Sequence, residues 1–302
     1  MELMSGNEAI AQGAWEAGAH IGVAYPGTPS TETLEAFAKK DGVYAEWCVN
    51  EKVAVEVGVG ASAAGARVLS TMKHVGVNVA ADPLFTAAYT GVGGGLVVLA
   101  ADDPGMYSSQ NEQDSHHYAR AAHIPMLDPA DSAEALRFTR EAYELSERFD
   151  VPVFIRSTVR VSHTKTPVEP GPRAQAALKP YEKDAAKWVM MPAFAKPRRR
   201  DQLARVEALR AWAETCPYNE VVRRGDAVGV VCAGAVYQLS LIHISARGPV
   251  LLDVRSHHRG RGRGPRDPGE DGRRGRRGRR REEAERGKAV SYTHLDVYKR
   301  QG

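Results

Sequence analysis

Cysteine is scarce in this 302-residue chain, which has three: Cys48, Cys216 and Cys232. None sits in a CxxC spacing, so a disulfide framework, a zinc site and a cysteine-ligated cluster all lack ligands here. Long apolar runs are missing too. No stretch of about 18 apolar residues occurs, which excludes a spanning helix. The opening MELMSGNEAIAQG has no basic segment followed by an apolar one, so no secretory signal is read. The expectation is a reduced cytoplasmic chain without a membrane partner. What is present is globular: 43% hydrophobic and 26% charged residues, with a length that suggests two domains.

The formal charge of +4 hides two unlike parts. Residues 246–302 carry 15 Arg and 2 Lys against 8 acidic residues, while residues 1–245 carry 24 basic against 29 acidic. The body is therefore mildly acidic and ill suited to phosphate backbones. The stretch Arg255–Gly287 has no Phe, Tyr or Trp to stack on bases. Three readings stand for it: out-of-frame translation of GC-rich DNA joined to linker-like endings (Ser240–Ser245, Ser291–Gln301), a disordered linker, or a nucleic-acid arm. Composition predicts disorder in each, and a nucleic-acid partner is not expected.

The first 165 residues alternate helix and strand signals. Ser5 and Glu8 have capping-box spacing before a helix to Ala17. Strands are expected at Ile21–Tyr25, Val43–Trp47, Arg67–Met72, Gly95–Ala100, His123–Leu127 and Pro152–Ser157. Helices are expected from Ser30 or Thr31, over Glu51–Gly65, over Asn78–Tyr89, and from a Ser132 cap to Arg148. Within Glu51–Gly65 the valines alternate as in a strand, but length and Ala/Gly content favour a closely packed helix. Asp102–Tyr118 reads as a long polar loop.

This order implies α/β architecture: a doubly wound parallel sheet covered on both faces. Ligands in such sheets lie beyond the carboxyl ends of the strands. That edge gathers Pro26–Thr31, Asn50-Glu51, Lys73–Gly76, Asp102–Asp114 and Thr158–His163. Residues 166–225 read as a Pro-rich linker, a basic stretch and a helix over Leu203–Thr215. Residues 226–238 open a second, truncated α/β domain with a strand at Asp226–Ala233, and residues 239–302 form the basic tail.

Glu51 begins a helix directly after a strand. It is either a carboxylate favoured by the helix dipole or a carboxyl group at a ligand edge, able to share a proton with a heterocyclic nitrogen. Pro26–Thr31 serves either as turn and cap or as a carboxylate or phosphate cradle. Gly91–Gly95 precedes a strand and is a poor dinucleotide fingerprint. His116, His117 and His123 lack metal-ligand spacing. Arg156, Arg160 and His163 are anion binders or ordinary surface residues.

The stretches SGNEAIAQGAWEAG, YPGTPSTE, EWCVNEKVAVEVGVGASAAGAR, STMKHVGVNVAADPL, SSQNEQDSHHYA and PVFIRSTVRVSH together resemble the 2-oxoacid:ferredoxin oxidoreductase family, within it the branch acting on indolepyruvate. The resemblance implies that residues 1–165 are the pyrimidine-binding domain of a thiamine diphosphate enzyme. It makes Glu51 the catalytic carboxyl that hydrogen-bonds the aminopyrimidine ring. Gly27, Thr28, Asn50 and His74 join it at the cofactor, and Thr28, Pro29, Gln110, Asn111 and Arg156 line the 2-oxoacid. No residue is assigned to a metal.

Oxidative decarboxylation of an aryl 2-oxoacid to its acyl-coenzyme A is implied, with ferredoxin as acceptor and a beta subunit as partner. Pyruvate or 2-oxoglutarate is the alternative substrate, and a non-enzymatic α/β module with a nucleic-acid-binding arm is the alternative to an enzyme. The diphosphate and Mg2+ motif and the [4Fe-4S] ligands are not found here; Gly225-Asp226-Ala227 and Glu270-Asp271-Gly272 do not match them. An N-terminal fragment of a longer subunit, inactive alone, is therefore expected.

Overall fold

A computed structural model describes residues 1–222 and 230–247 of the chain. It opens with strand β1 (Glu2–Ser5) and helix α1 (Gly6–Glu16). Ser5 caps α1 through the amide of Glu8, whose carboxylate returns to the Ser5 amide, as the spacing predicts. There follow β2 (Ile21–Ala24), α2 (Thr31–Ala38), β3 (Tyr44–Trp47), α3 (Glu51–Ala63), β4 (Val68–Lys73), α4 (His74–Val79), α5 (Ala81–Thr90) and β5 (Leu96–Asp102). Then come α6 (His116–Ala122), β6 (Met126–Leu127), α7 (Ser132–Phe149), β7 (Val153–Thr158), α8 (Val159–His163) and β8 (Lys165–Val168). The remaining helices are α9 (Ala185–Trp188), α10 (Pro192–Ala213) and α11 (Ala235–Arg247).

Six strands form one parallel sheet in the order β3-β2-β4-β5-β7-β6. Its central strands β4 and β5 are buried along their whole length, the pattern of a sheet covered on both faces. One face packs Ile10, Phe37, Leu69, Leu99, Phe138 and Ile155 beneath α1, α2 and α7. The other packs Val23, Val55, Met72, Leu84, Val98 and Phe154 beneath α3, α4 and α5. Gly13 lets α1 approach α7 closely; a Cβ there would lie 2.4 Å from the Leu136 carbonyl oxygen. The chain leaves β2 in one direction for β3 and returns past it to β4. The crevice between the ends of β2 and β4 is thus a switch point, where such sheets take ligands.

Several local expectations are corrected. Asp131, not Ser132, caps α7: its carboxylate accepts from the Glu134 amide at 2.9 Å, while the Ser132 hydroxyl donates to Thr164. Directly after β7 the chain turns into the short helix α8. Of His123–Leu127 only Met126 and Leu127 pair in the sheet, because His123 takes a left-handed conformation to end α6. The helix expected at Asn78 begins at His74 and is broken into α4 and α5. The basic stretch around Arg198 lies inside α10, where Arg198 donates to the carbonyls of Tyr89 and Thr90. Unforeseen altogether, β1 pairs antiparallel with β8. The strand expected at Asp226–Ala233 and both near-matches to a diphosphate motif lie wholly or partly outside the described residues, as do residues 248–302 of the basic tail.

Candidate functional site

Three strand ends meet at the switch point. The turn after β2 is tied from inside. Gly27 donates its amide to Thr31 Oγ1 at 2.9 Å, and the Ser30 hydroxyl donates back to the Gly27 carbonyl at 2.8 Å. Ser30 therefore tightens the turn; its side chain does not cap α2 as expected. Buried Asn7 donates to the Pro29 carbonyl at 2.8 Å and accepts from Thr33 at 2.9 Å, anchoring the turn to α1. Thr28 stands exposed at the tip, and its hydroxyl has no partner among the described residues, whereas Pro29 is buried.

Glu51 is the first residue of α3. Asn50 caps that helix, its side-chain oxygen accepting from the Val53 amide at 2.9 Å. This use of Asn50 is structural, and it fixes where Glu51 leaves the backbone. Glu51 is only 8% exposed, yet its carboxyl has no hydrogen-bond or ion-pair partner among the described residues. It lies against α4 at Gly76, where a Cβ would come within 2.5 Å of Oε1. The residue is largely buried while its carboxyl oxygens have no protein partner, so they can accept a donor brought by a ligand.

His74, 1% exposed, faces the same crevice from the end of β4. Its Nε2 donates to the Asn111 carbonyl at 3.0 Å. A carbonyl only accepts, so Nε2 holds the proton and Nδ1 presents a lone pair in the neutral ring. That Nδ1 is buried and has no partner. Asn111 thus reaches His74 through its backbone, while its side chain accepts from Gln113. Gln110 is exposed on the same loop. Asn78 of α4 donates to Gln113 at 2.6 Å and accepts from Tyr118, which straps the loop over α4.

Arg156 is not brought to this group. Its Nε donates to Asp102 at 2.7 Å and its Nη1 to Asp128 at 3.0 Å, with Asp114 at 3.7 Å. Asp102 also accepts from the amide and hydroxyl of Ser115. His116 completes the cluster between Asp114 and Asp128. Burial opposes the charge on His116, but those two carboxylates outweigh it and push its pKa up to about 9. For Asp114, likewise against burial, His116 and Arg156 hold the carboxyl well below the usual carboxylate range. The expected anion-binding arginine is instead the centre of an internal ion-pair network. Sequence reading missed this network because its members lie on four separate segments.

Among the described residues, no group of three or more His, Cys, Asp or Glu is placed to hold a metal. No helix there is long and apolar enough to cross a membrane.

A doubly wound sheet with an unmatched carboxyl and an orphaned imidazole nitrogen at its switch point is the framework of a cofactor-binding α/β domain. The chain belongs to the pyruvate flavodoxin/ferredoxin oxidoreductase, thiamine diphosphate-binding family, whose pattern matches residues 12–211. Among its relatives, indolepyruvate oxidoreductase subunit IorA of Methanothermobacter thermautotrophicus is 45% identical over 241 residues, 78% of this chain and 39% of that protein. The 2-oxoglutarate synthase subunit KorA of Archaeoglobus fulgidus is 29% identical over 195 residues, 61% of this chain and 56% of that protein. The chain thus spans about two fifths of the length of the indolepyruvate relatives it matches. A solved 2-oxoglutarate:ferredoxin oxidoreductase from Magnetococcus marinus shares the fold, with a TM-score of 0.67 at 19% identity over 82% of this chain and 52% of that one.

Proposed function

We propose that this chain carries the pyrimidine-binding domain of a thiamine diphosphate enzyme that oxidatively decarboxylates an aryl 2-oxoacid, indolepyruvate, to its acyl-coenzyme A. The observation that carries the reading is Glu51: a largely buried residue whose carboxyl has no protein partner, at a strand-end helix start, with Gly76 clearing its approach. The orphaned His74 Nδ1 is a second vacancy in the hydrogen bonding that a nitrogen heterocycle can fill. Thiamine diphosphate, when bound, supplies the carbon nucleophile and the electron sink that decarboxylation of a 2-oxoacid requires.

The chain's own residues bind and position. Glu51 holds a proton at a pyrimidine nitrogen, in a setting where water is largely excluded. Asn50 fixes the start of its helix. His74 accepts a hydrogen bond from the cofactor side, and Gly27 with Thr28 forms the rim toward the thiazolium and the substrate. Thr28, Pro29, Gln110 and Asn111 border the 2-oxoacid. Arg156 is left out of the site by its three carboxylates.

The higher identity to an indolepyruvate subunit, 45% against 29% for a 2-oxoglutarate subunit, favours the aryl substrate. Diphosphate, Mg2+ and a [4Fe-4S] cluster are then held outside the described residues. Ferredoxin takes the electrons, a beta subunit completes the enzyme, and the assembly works in the cytoplasm. Residues 1–165 form the cofactor domain, 166–225 its linker and helix, 226–238 the start of the next domain, and 239–302 an Arg/Gly-rich tail read as a frameshift or linker artefact.

The test is turnover of indolepyruvate, pyruvate and 2-oxoglutarate by the complete subunit with its partner, compared with the 302-residue chain alone. Preference for indolepyruvate by the complete enzyme, with none turned over by the chain alone, is expected. Preference for pyruvate or 2-oxoglutarate would overturn the substrate assignment, and arylpyruvate turnover by the chain alone would overturn the fragment reading.

A further inference from the structure

Lys73 ends β4 beside His74, and nothing in the sequence motifs assigns it a role. Its side chain lies across Gly27: a Cβ at 27 would meet Lys73 Cδ at 3.0 Å and Cγ at 3.1 Å. The residue is 8% exposed, yet its ammonium makes one hydrogen bond, to the Ser108 carbonyl at 3.1 Å. An ammonium has three donors, so two have no partner among the described residues. Asp103 of the same loop makes no ion pair with it. Asp103 is already occupied by the amides of Tyr107 and Ser108 and the hydroxyl of Ser109. Burial opposes the charge of Asp103, but these donors and the charge of Lys73 together hold its carboxyl below the ordinary value. Asp103 therefore offsets the lysine's charge from a distance and leaves its donors open. A largely buried ammonium with open donors, beside the Thr28 rim, calls for an anion.

We propose that Lys73 anchors the carboxylate of the 2-oxoacid, holding it over the Gly27-Thr28 turn while Ser108 fixes the ammonium from behind. This rests on the function proposed above, and it adds a binding residue from β4 that fills the place vacated by Arg156.

The test uses the complete oxidoreductase with phenylpyruvate as substrate and phenylacetaldehyde, which lacks the carboxylate, as competing ligand. In K73M and K73Q, the KM for phenylpyruvate is expected to rise roughly 10- to 100-fold. The inhibition constant of phenylacetaldehyde and the affinity for thiamine diphosphate should stay unchanged, and K73R should recover part of the loss. An unchanged KM overturns the proposal. So does a parallel rise in KM and in the phenylacetaldehyde constant, which would make Lys73 a strut of the loop. Should the wild-type enzyme turn over no 2-oxoacid, the function proposed above fails by itself. Calorimetric binding of phenylpyruvate to wild type and K73Q then decides the inference: binding lost in K73Q upholds it, and equal or absent binding in both overturns it.

Discussion

Gly76 and Glu51 are packed so closely that no other residue fits at position 76 without moving the carboxyl. A Cβ there would lie 2.5 Å from Glu51 Oε1 and 2.7 Å from its Cγ. Alanine favours a helix interior over glycine by about 1 kcal/mol, so Gly76→Ala has no reason to weaken α4 itself. Its expected effect is on the ligand: at least a tenfold loss of thiamine diphosphate affinity in the complete enzyme, read by calorimetry, with the melting temperature little changed. Glu51→Gln is expected to bind the cofactor while losing most of kcat, at least 100-fold for a positioned proton-transfer group.

Asn7 ties α1 to the turn that presents Thr28, through the Pro29 carbonyl and the Thr33 hydroxyl. Asn7→Ala leaves both groups unmatched in a buried place. A loss of about 1–3 kcal/mol in unfolding free energy is expected, measurable by urea denaturation. A smaller change would show that water replaces the amide.

Arg156 pairs with Asp102, Asp128 and Asp114 at once. Removing one partner of a buried ion pair costs about 3–5 kcal/mol, and here Asp102 and Asp128 would keep their burial while losing the guanidinium. Arg156→Met is therefore expected to be among the most destabilising single changes in this domain. Arg156→Lys should be milder but not neutral, since an ammonium cannot reproduce the fork of the guanidinium. Thermal melting of the two variants beside wild type checks the ranking.

The same cluster makes stability depend on pH. His116 is pushed from its ordinary 6.5 up to about 9 in the folded chain. Its stabilising charge is fully present below about pH 6.5 and is lost as the pH rises through about 9. The alkaline decline should be on the order of 2 kcal/mol over that window. His116→Asn should flatten it. Asp114 acts in the opposite direction: its lowered carboxyl stabilises above its ordinary 3.8, and that share is lost on acidification. Denaturation midpoints between pH 6 and 10 for both chains measure the alkaline limb.

The sheet was legible because its strands are short apolar runs between helical periods, and the parallel order follows from that alternation. The place of Glu51 was legible for a related reason: it starts the helix that follows a strand, which puts it at the carboxyl edge of the sheet. The valine alternation from Val53 to Val59 mimicked a strand, yet the segment folds as α3, its small residues packed against the sheet. What stayed hidden depends on side chains meeting across long separations. Arg156 looked free because Asp102, Asp114 and Asp128 come from other segments. Lys73 was placed along the ligand edge with no role of its own, because only the folded turn lays Gly27 against its stem. The pairing of Glu2–Ser5 with Lys165–Val168 gave no local signal, as both are four residues long and neither alternates polar with apolar positions.

That ribbon between β1 and β8 has a consequence for how the chain is made. β1 leaves the ribosome first, but its hydrogen-bonding partner ends at Val168, beyond the whole parallel sheet. At about 5–20 residues per second of synthesis, β1 waits roughly 8–30 s for β8. Until then the strand that feeds Ser5, the cap of α1 and hence Asn7 has an unmatched edge. The turn at Pro26–Thr31 is therefore fastened through α1 only once β8 arrives, so a nascent chain stalled short of β8 would carry Glu51 on a scaffold not yet fastened.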